Sequence, residues 1–249
     1  MDGILPDMNW TPEVPDLEEN QAHVWMFGTE ISTEQLEEFR NLLSIDEKVR
    51  ADRFKFESDR VRFVASHGWL RTMLGSYCGI HPQELVFASG AHGKPFLKSS
   101  SMPIQFNLSH SGIRAALVVT RNMRCGIDIE QVRSEISEQA IAERFFCARE
   151  NQWLQSLPTE QRNLGFFRLW SVKESILKAE GKGLSIPLSA IDASGVLAGT
   201  SATVSFWDEN RLFSVRVGEL HAIQRYTAAL AVEGSTPGFQ IIELDTQAA

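Results

Sequence analysis

The segment Gly126-Ile127-Asp128-Ile129-Glu130 constrains the fold more than any other part of the chain. On a strand, residues i and i+2 share a face. Ile127 and Ile129 therefore point one way, and Asp128 and Glu130 the other. β-Branched residues favour extended backbone and apolar neighbours. The isoleucines demand a core, so the strand is central and its carboxylates are carried inside with it. Two converging carboxylates repel unless a cation sits between them. Oxygen ligands with no His or Cys nearby favour a hard ion, Mg²⁺ before Zn²⁺, with Mn²⁺ as a substitute.

A second segment, Trp170-Ser171-Val172-Lys173-Glu174-Ser175-Ile176-Leu177-Lys178, supplies what the first lacks. At about 100° per residue, Phe166, Leu169, Trp170, Val172, Ile176, Leu177 and Ala179 form one broad apolar face of a helix. Glu174 and Lys178 lie one turn apart on the opposite side, where an isolated pair reads as a weak solvated salt bridge. Lys173 projects from within the apolar arc. A lysine there either snorkels or serves a buried anion.

Other elements follow from local pattern. Ala22 to Phe27 reads as a strand. Ser32 with Gln35 makes a capping box before a helix carrying Leu36, Phe39 and Leu42. Asp59 to Gly75 is an amphipathic helix; Phe106-Asn107-Leu108 and Ala115 to Thr120 are strands. Residues 120–124 form a polar joint. Across it, Arg53-Phe54 echoes Arg144-Phe145, and residues 114–119 echo 227–232. These echoes fit either chance likeness of short apolar strands or a two-fold repeat with its site in the cleft. Helices mixed with small, hairpin-rich sheets give the class α+β.

With 249 residues, 43% of them hydrophobic, the chain can form one large domain or two of about 125. A net charge of −8 argues against nucleic acid as the main partner. No apolar run approaches the ~20 residues of a membrane span, and the start lacks the pattern of a signal peptide. The cysteines, Cys78, Cys125 and Cys147, have no C-x-x-C spacing, which fits a cytoplasmic protein. Gly90-Ala91-His92-Gly93-Lys94-Pro95 is not a phosphate-binding P-loop, because Pro95 stands where Ser or Thr must be. Ser109-His110-Ser111 is not a nucleophilic serine motif; it lacks the G-x-S-x-G elbow, and strand neighbours point apart.

The Asp-x-Glu strand and the Trp-Ser-x-Lys-Glu-Ser-x-x-Lys helix together resemble the 4′-phosphopantetheinyl transferases, in this length class their surfactin-synthetase-activating type. Gly93-Lys94-Pro95, Phe106 to Gly112 and the basic stretch from Lys48 to Arg62 lie in the family's order. The resemblance implies a pseudo-two-fold repeat of two similar α/β halves with the active site in the cleft between them. Residues 1–124 would contact the 3′-phosphate and adenine of coenzyme A; residues 125–249 would carry the Mg²⁺ and catalytic groups. The implied reaction moves 4′-phosphopantetheine from coenzyme A to a serine of an apo acyl or peptidyl carrier protein, releasing 3′,5′-ADP. Asp128, Glu130 and Glu174 would hold Mg²⁺. Glu174 would take the serine proton, directly or through water, and Lys178 with Lys173 would neutralise phosphate oxygens. Lys48 and Arg62 match positions that hold the 3′-phosphate. A second lysine of that set is replaced by Ala51, with Arg50 or Arg53 as substitutes. Lys94 and Pro95 form a turn near the adenine, and His110 with the backbone near Ser109 contacts the phosphates. Carriers of this kind are acidic, as is this chain, so docking needs a local surface, expected at Gln131 to Arg149, where Ile136, Ile141, Phe145 and Phe146 lie among Arg133, Arg144 and Arg149. A chain holding both halves is expected to act as a monomer. Two rival readings use parts of the same residues: a Mg²⁺-dependent phosphohydrolase acting on a nucleotide-type pyrophosphate, and a non-catalytic coenzyme A-binding module.

Overall fold

Each half of the molecule starts with a strand, passes through helices that include one long one, and returns to the first strand through antiparallel strands. The computed structural model describes residues 13–98, 102–134, 138–199, 201–220, 224–234 and 240–245. In the first half these elements are β1 (Gln21–Gly28), α1 (Thr33–Leu42), α2 (Ile45–Asp52), α3 (Glu57–Cys78), the short strands β2 (Phe87–Ser89) and β3 (Pro95–Leu97), then β4 (Ile104–Ser111) and β5 (Arg114–Arg121). The second half runs β6 (Cys125–Gln131), α4 (Glu138–Phe145), α5 (Ala148–Ser156), α6 (Thr159–Glu180), α7 (Ser194–Leu197), β7 (Ser201–Asp208), β8 (Arg211–Glu219) and β9 (Tyr226–Glu233). A last strand, β10 (Gln240–Asp245), follows.

The expected repeat is present in the pairing. β1 is antiparallel to β5, which is antiparallel to β4. β6 is antiparallel to β9, which is antiparallel to β8. The echoing segments 114–119 and 227–232 are the equivalent strands β5 and β9, and the long helices α3 and α6 are each 22 residues. One strand departs from the division at residue 124: β10 crosses back and pairs parallel with β1, giving the order β10-β1-β5-β4 in one sheet and β6-β9-β8-β7 in the other.

Three apolar clusters hold these layers. α1 and α3 pack on one side of the first sheet through Phe39, Trp69, Leu70, Met73 and Leu117. α6 packs on the second sheet through Phe166, Leu169, Val172 and Ile176 against Phe213, Val215 and Ala231. Between the sheets, Val24 and Val118 meet Ile127, Ile129 and Leu230. The isoleucines of the Asp-x-Glu strand thus face the other sheet, as alternation requires, but β6 is the edge strand of its own sheet rather than a central one, and it is buried because β4 and α6 cover it. Each such buried side chain contributes about 1.5–3 kcal/mol.

Local signals set the helix ends. The Ser32 hydroxyl accepts the Gln35 N–H, which is one half of the capping box expected there. Ser44 and Glu47 form a complete capping box at α2. The apolar stripe expected on α6 is wider in fact: Ser171, Lys173 and Ser175 are buried as well, because the helix has the sheet on one side and α5 and α7 beyond the other. Among the described residues, no helix is long and apolar enough to cross a membrane.

Candidate active site

Gly126 decides how the site is assembled. A Cβ there would lie 2.1 Å from the Ser175 carbonyl oxygen and 2.3 Å from the Ala179 nitrogen. Its absence lets the backbone of α6 lie directly on β6, so that Glu174 and Lys178 reach the face that carries Asp128. From the other half, β4 runs alongside β6 and presents every second side chain to it. Asn107 Oδ1 accepts the Ile127 N–H at 2.9 Å. Ser109 Oγ donates to Asp128 Oδ1 at 3.1 Å, and Ser111 Oγ donates to Glu130 Oε2 at 2.8 Å. Lys178 Nζ donates to Asp128 Oδ1 at 2.6 Å and to Ser109 Oγ at 2.8 Å.

The cluster is short of positive charge. Asp128 is 3% exposed, and among the described residues its Oδ2 has no well-formed hydrogen bond; the nearby Ser171 hydroxyl, bonded to Thr227 at 3.0 Å, still helps to lower its pKa. Burial pushes the Asp128 carboxyl upward against the pull of Lys178. Burial and then the charge of Asp128 do the same to Glu130 and to Glu174. One buried acceptor left open, with two further carboxylates beside it, is the environment that a divalent cation relieves. The donor set is all oxygen, so these residues fit a hard ion.

A cleft leads away from this cluster. Its inner part, of about 210 Å³, is lined by Gly93, Pro95, Asn107, Glu174, Lys178 and Gly181. Gly93, Pro95 and Asn107 also line a wider part of about 600 Å³, which continues past Arg50, His67, Arg71 and His110. His110 points away from Ser109, into this wider part. Desolvation lowers the pKa of its imidazole, and the positive field of Lys178, His67, Arg62 and Arg50 lowers it further. The cleft therefore runs from Glu174 and Lys178 to a wider, more cationic end where Arg50, Arg71, His67 and His110 outnumber Asp46 and Glu47.

Several expected residues stand elsewhere. Lys173 does not join Lys178. Five residues away, about 140° around the helix, it is fully buried, with Nζ donating to Glu150 Oε1 at 2.7 Å, Glu150 Oε2 at 2.6 Å and the Ile191 carbonyl at 2.6 Å. The buried anion it serves is a protein side chain. Lys94 Nζ points at the end of α6, bonding the carbonyls of Cys125, Lys178 and Ala179 at 2.8, 2.7 and 3.2 Å. Its backbone neighbours, rather than its ammonium, face the open cleft. Arg62 bonds Asp59 at 2.6 Å and reaches toward the Gly112 carbonyl at 3.4 Å. Arg50 lines the cleft and lies over the Phe63 ring, whereas Arg53 is exposed at the end of α2 and Lys48, half-buried, is not part of the cleft wall. Of the expected docking surface, Phe146 is core, Phe145 is half-buried beneath Arg144, and Ile136 lies outside the described residues.

Sequence reasoning missed the polar face of β4. Asn107, Ser109 and Ser111 recur at spacing two, and that alternation opposite an acidic strand was the available signal. It also missed the trio of Glu47, His67 and Arg71 under the cleft. Glu47 accepts from His67 at 2.9 Å, from Arg71 at 2.7 Å and from the Ser44 N–H at 2.8 Å.

Comparison with known proteins shows the family. A family model described as the 4′-phosphopantetheinyl transferase superfamily matches residues 124–231, and one described as 4′-phosphopantetheinyl transferase, N-terminal, matches residues 30–122. The 4′-phosphopantetheinyl transferase HetI of a Nostoc species is 39% identical over 180 residues, covering 71% of this chain and 76% of that protein. The chain belongs to the 4′-phosphopantetheinyl transferase superfamily. The transferase Sfp of Bacillus subtilis is 32% identical over 161 residues, covering 64% of this chain and 70% of its own. Psf-1 of Bacillus pumilus is 35% identical over 159 residues, covering 64% and 66%. In this transferase the two family matches meet at the joint between β5 and β6, so the Asp-x-Glu strand opens the second match and the basic cleft belongs to the first.

Proposed function

We propose that this transferase moves 4′-phosphopantetheine from coenzyme A to a serine hydroxyl of an apo carrier protein and releases 3′,5′-ADP. The observation that carries the reading is the polarity of one continuous cleft. Glu174 and Lys178 line its inner part, next to Asp128; Arg50, His67, Arg71 and His110 line its outer part, where they outnumber Asp46 and Glu47. A nucleotide with a 3′-phosphate at one end and a pyrophosphate at the other fits that polarity.

Asp128, Glu130 and Glu174 would hold Mg²⁺, which when bound offsets pyrophosphate charge. Glu174 takes the proton of the carrier serine. Of the three carboxylates it is the one that lines the cleft, and it acts directly or through water. The serine oxygen bonds to the phosphorus that bears pantetheine, and the bond from that phosphorus to the bridging oxygen breaks. Lys178 Nζ, already held beside Asp128 and Ser109, donates to the oxygens that gain charge as 3′,5′-ADP leaves. Ser109 and Ser111 keep the carboxylates aimed. At the outer end, Arg50, Arg62 and His110 form the anion site, with Lys48 beside it on α2. The backbone of Lys94 and Pro95 borders the adenine.

For the carrier we propose α4 and its flanks, where half-buried Ile141 and Phe145 lie among exposed Arg133, Arg144 and Arg149. The three cysteines are free thiols, which supports a cytoplasmic setting. One chain supplies both sides of the cleft, which supports a monomer.

The test is intact-mass analysis of a panel of apo carriers incubated with coenzyme A and Mg²⁺. The expected result is a gain of one phosphopantetheine on serine, lost with chelator and restored by Mg²⁺ or Mn²⁺. Release of free phosphate or phosphopantetheine without carrier modification would favour a hydrolase instead.

A further inference from the structure

The last turn of α6 carries Lys178, and a helix end leaves its final carbonyls without partners inside the helix. Here each is accounted for. Gly181, at φ 87°, gives its N–H to the Leu177 carbonyl at 2.8 Å. Arg124 Nη1 reaches the Glu180 carbonyl at 3.4 Å. The two between them, on Lys178 and Ala179, are both met by Lys94 Nζ. The same ammonium also bonds the carbonyl of Cys125, the first residue of β6.

One cation from the first half therefore joins the two elements of the second half that carry the chemistry. The Cys125 carbonyl is three residues before Asp128, and the Lys178 carbonyl belongs to the residue whose Nζ grips Asp128. Burial lowers the pKa of the Lys94 ammonium. The negative end of the α6 dipole and three carbonyls favour its charge in return. No polar group of Lys94's side chain is left to recognise a ligand, since all three N–H bonds are used.

We propose that Lys94 is a positioning residue for catalysis: its ammonium sets Lys178 and Glu174 against Asp128 by clamping the end of α6 to the start of β6, and it does not contribute to nucleotide affinity through its side chain. The inference rests on the transfer reading above. It differs from the role the family resemblance suggests, in which this lysine serves the adenine.

The experiment compares Lys94→Met, Lys94→Arg and Arg124→Gln in the full chain, using holo-carrier formation and calorimetric binding of 3′,5′-ADP. Wild-type transfer is measured first. If the wild type modifies no carrier, the transfer reading fails independently of the clamp. With an active wild type, Lys94→Met is expected to lower kcat at least ten-fold while the KM for coenzyme A and the Kd for 3′,5′-ADP stay within two-fold. Lys94→Arg, which keeps a charged donor at the helix end, should recover a substantial part of kcat. Arg124→Gln, which frees a carbonyl of the same helix end but does not touch β6, should leave kcat within two-fold. A rise in Kd that accounts for the loss in kcat/KM, or full kcat in a folded Lys94→Met protein, would overturn the proposal. If Lys94→Met fails to fold, the arginine variant decides: wild-type kcat with weakened 3′,5′-ADP binding would also overturn it. An equal loss of kcat in Arg124→Gln would reduce Lys94 to general helix stability.

Discussion

Two carboxylate–lysine pairs lie on opposite sides of α6, and they are built to different ends. Glu150 and Lys173 are fully buried and complete. The carboxylate accepts both lysine bonds and the N–H groups of Cys147 and Ala193, at 2.8 and 2.9 Å. The ammonium also donates to the Ile191 carbonyl. Asp128 and Lys178 are close as well, but among the described residues the aspartate Oδ2 has no well-formed hydrogen bond, and its charge pushes the Glu130 and Glu174 carboxyls upward. The first pair is finished in its hydrogen bonding, although Glu150 also lies within 4.8 Å of ligand atoms of Cys147 and Asp192. The second has excess negative charge, which a proton or a cation would relieve. Buried charge marks a functional site here where its hydrogen bonding is unfinished, not merely where charge is buried.

The contrast can be broken most sharply at Glu174. Glu174→Gln should cut transfer by about 10²- to 10⁴-fold. Melting temperature should hold or rise, because a like charge beside Asp128 is removed. A wild-type rate in the mass assay would show that the unfinished side is not where the proton moves. Lys173→Met should do the opposite. Leaving Glu150 buried and unpaired costs about 3–5 kcal/mol, read as a fall in denaturation midpoint, with the rate per folded molecule retained. Replacing both Lys173 and Glu150 by apolar residues should return most of that stability. Loss of rate without loss of stability would move Lys173 into the chemistry.

Glu47 is a second finished carboxylate and sharpens the point. Burial pushes it upward, but the bonds from His67 and the Ser44 N–H, together with the charge of Arg71, prevail and hold it at about 2. Because this folded pKa lies below the ordinary one, its contribution is present above pH 4.5 and lost as pH falls toward 2. The amount is on the order of 3 kcal/mol. Acid unfolding should flatten over that window in Glu47→Gln; an unchanged profile would deny that the trio is a stabilising unit. At the cationic end, Arg62→Ala and His110→Ala should weaken coenzyme A by roughly ten- to a hundred-fold and dephospho-coenzyme A much less. Equal weakening in titrations of the two ligands would place these residues away from the 3′-phosphate. The smallest effect is expected at α4. Ile141→Asp should raise the carrier KM several-fold and leave that for coenzyme A unchanged; the reverse pattern in steady-state kinetics would send the docking surface to the other half.

What could be read in the sequence was what strand and helix periods encode. Asp128 and Glu130 share a face, Glu174 and Lys178 share another, and Ser32 caps α1. What could not be read depends on partners far away in the chain. Lys173 was visibly misplaced in an apolar arc, but Glu150, 23 residues distant, has no local mark as its partner. Lys94 binds backbone carbonyls, which every residue has, so no side-chain pattern announces it. Arg71 is hidden for the same reason, since two of its partners are the carbonyls of Pro82 and Leu85. The β7–β8 hairpin and the return of β10 are long-range pairings that local alternation does not fix.

That return of β10 to the edge of β1 has a consequence for the order in which the protein can be completed. The chain emerges from the ribosome N-terminal end first. β1 and its partners β5 and β4 are made early, yet the strand that covers the other edge of β1 is residues 240–245. Until then, the first sheet has an open edge able to accept a stray strand from another chain. The nascent protein is exposed to aggregation during the interval in which its second half is being synthesised, because that edge cannot close before residues 240–245 are made.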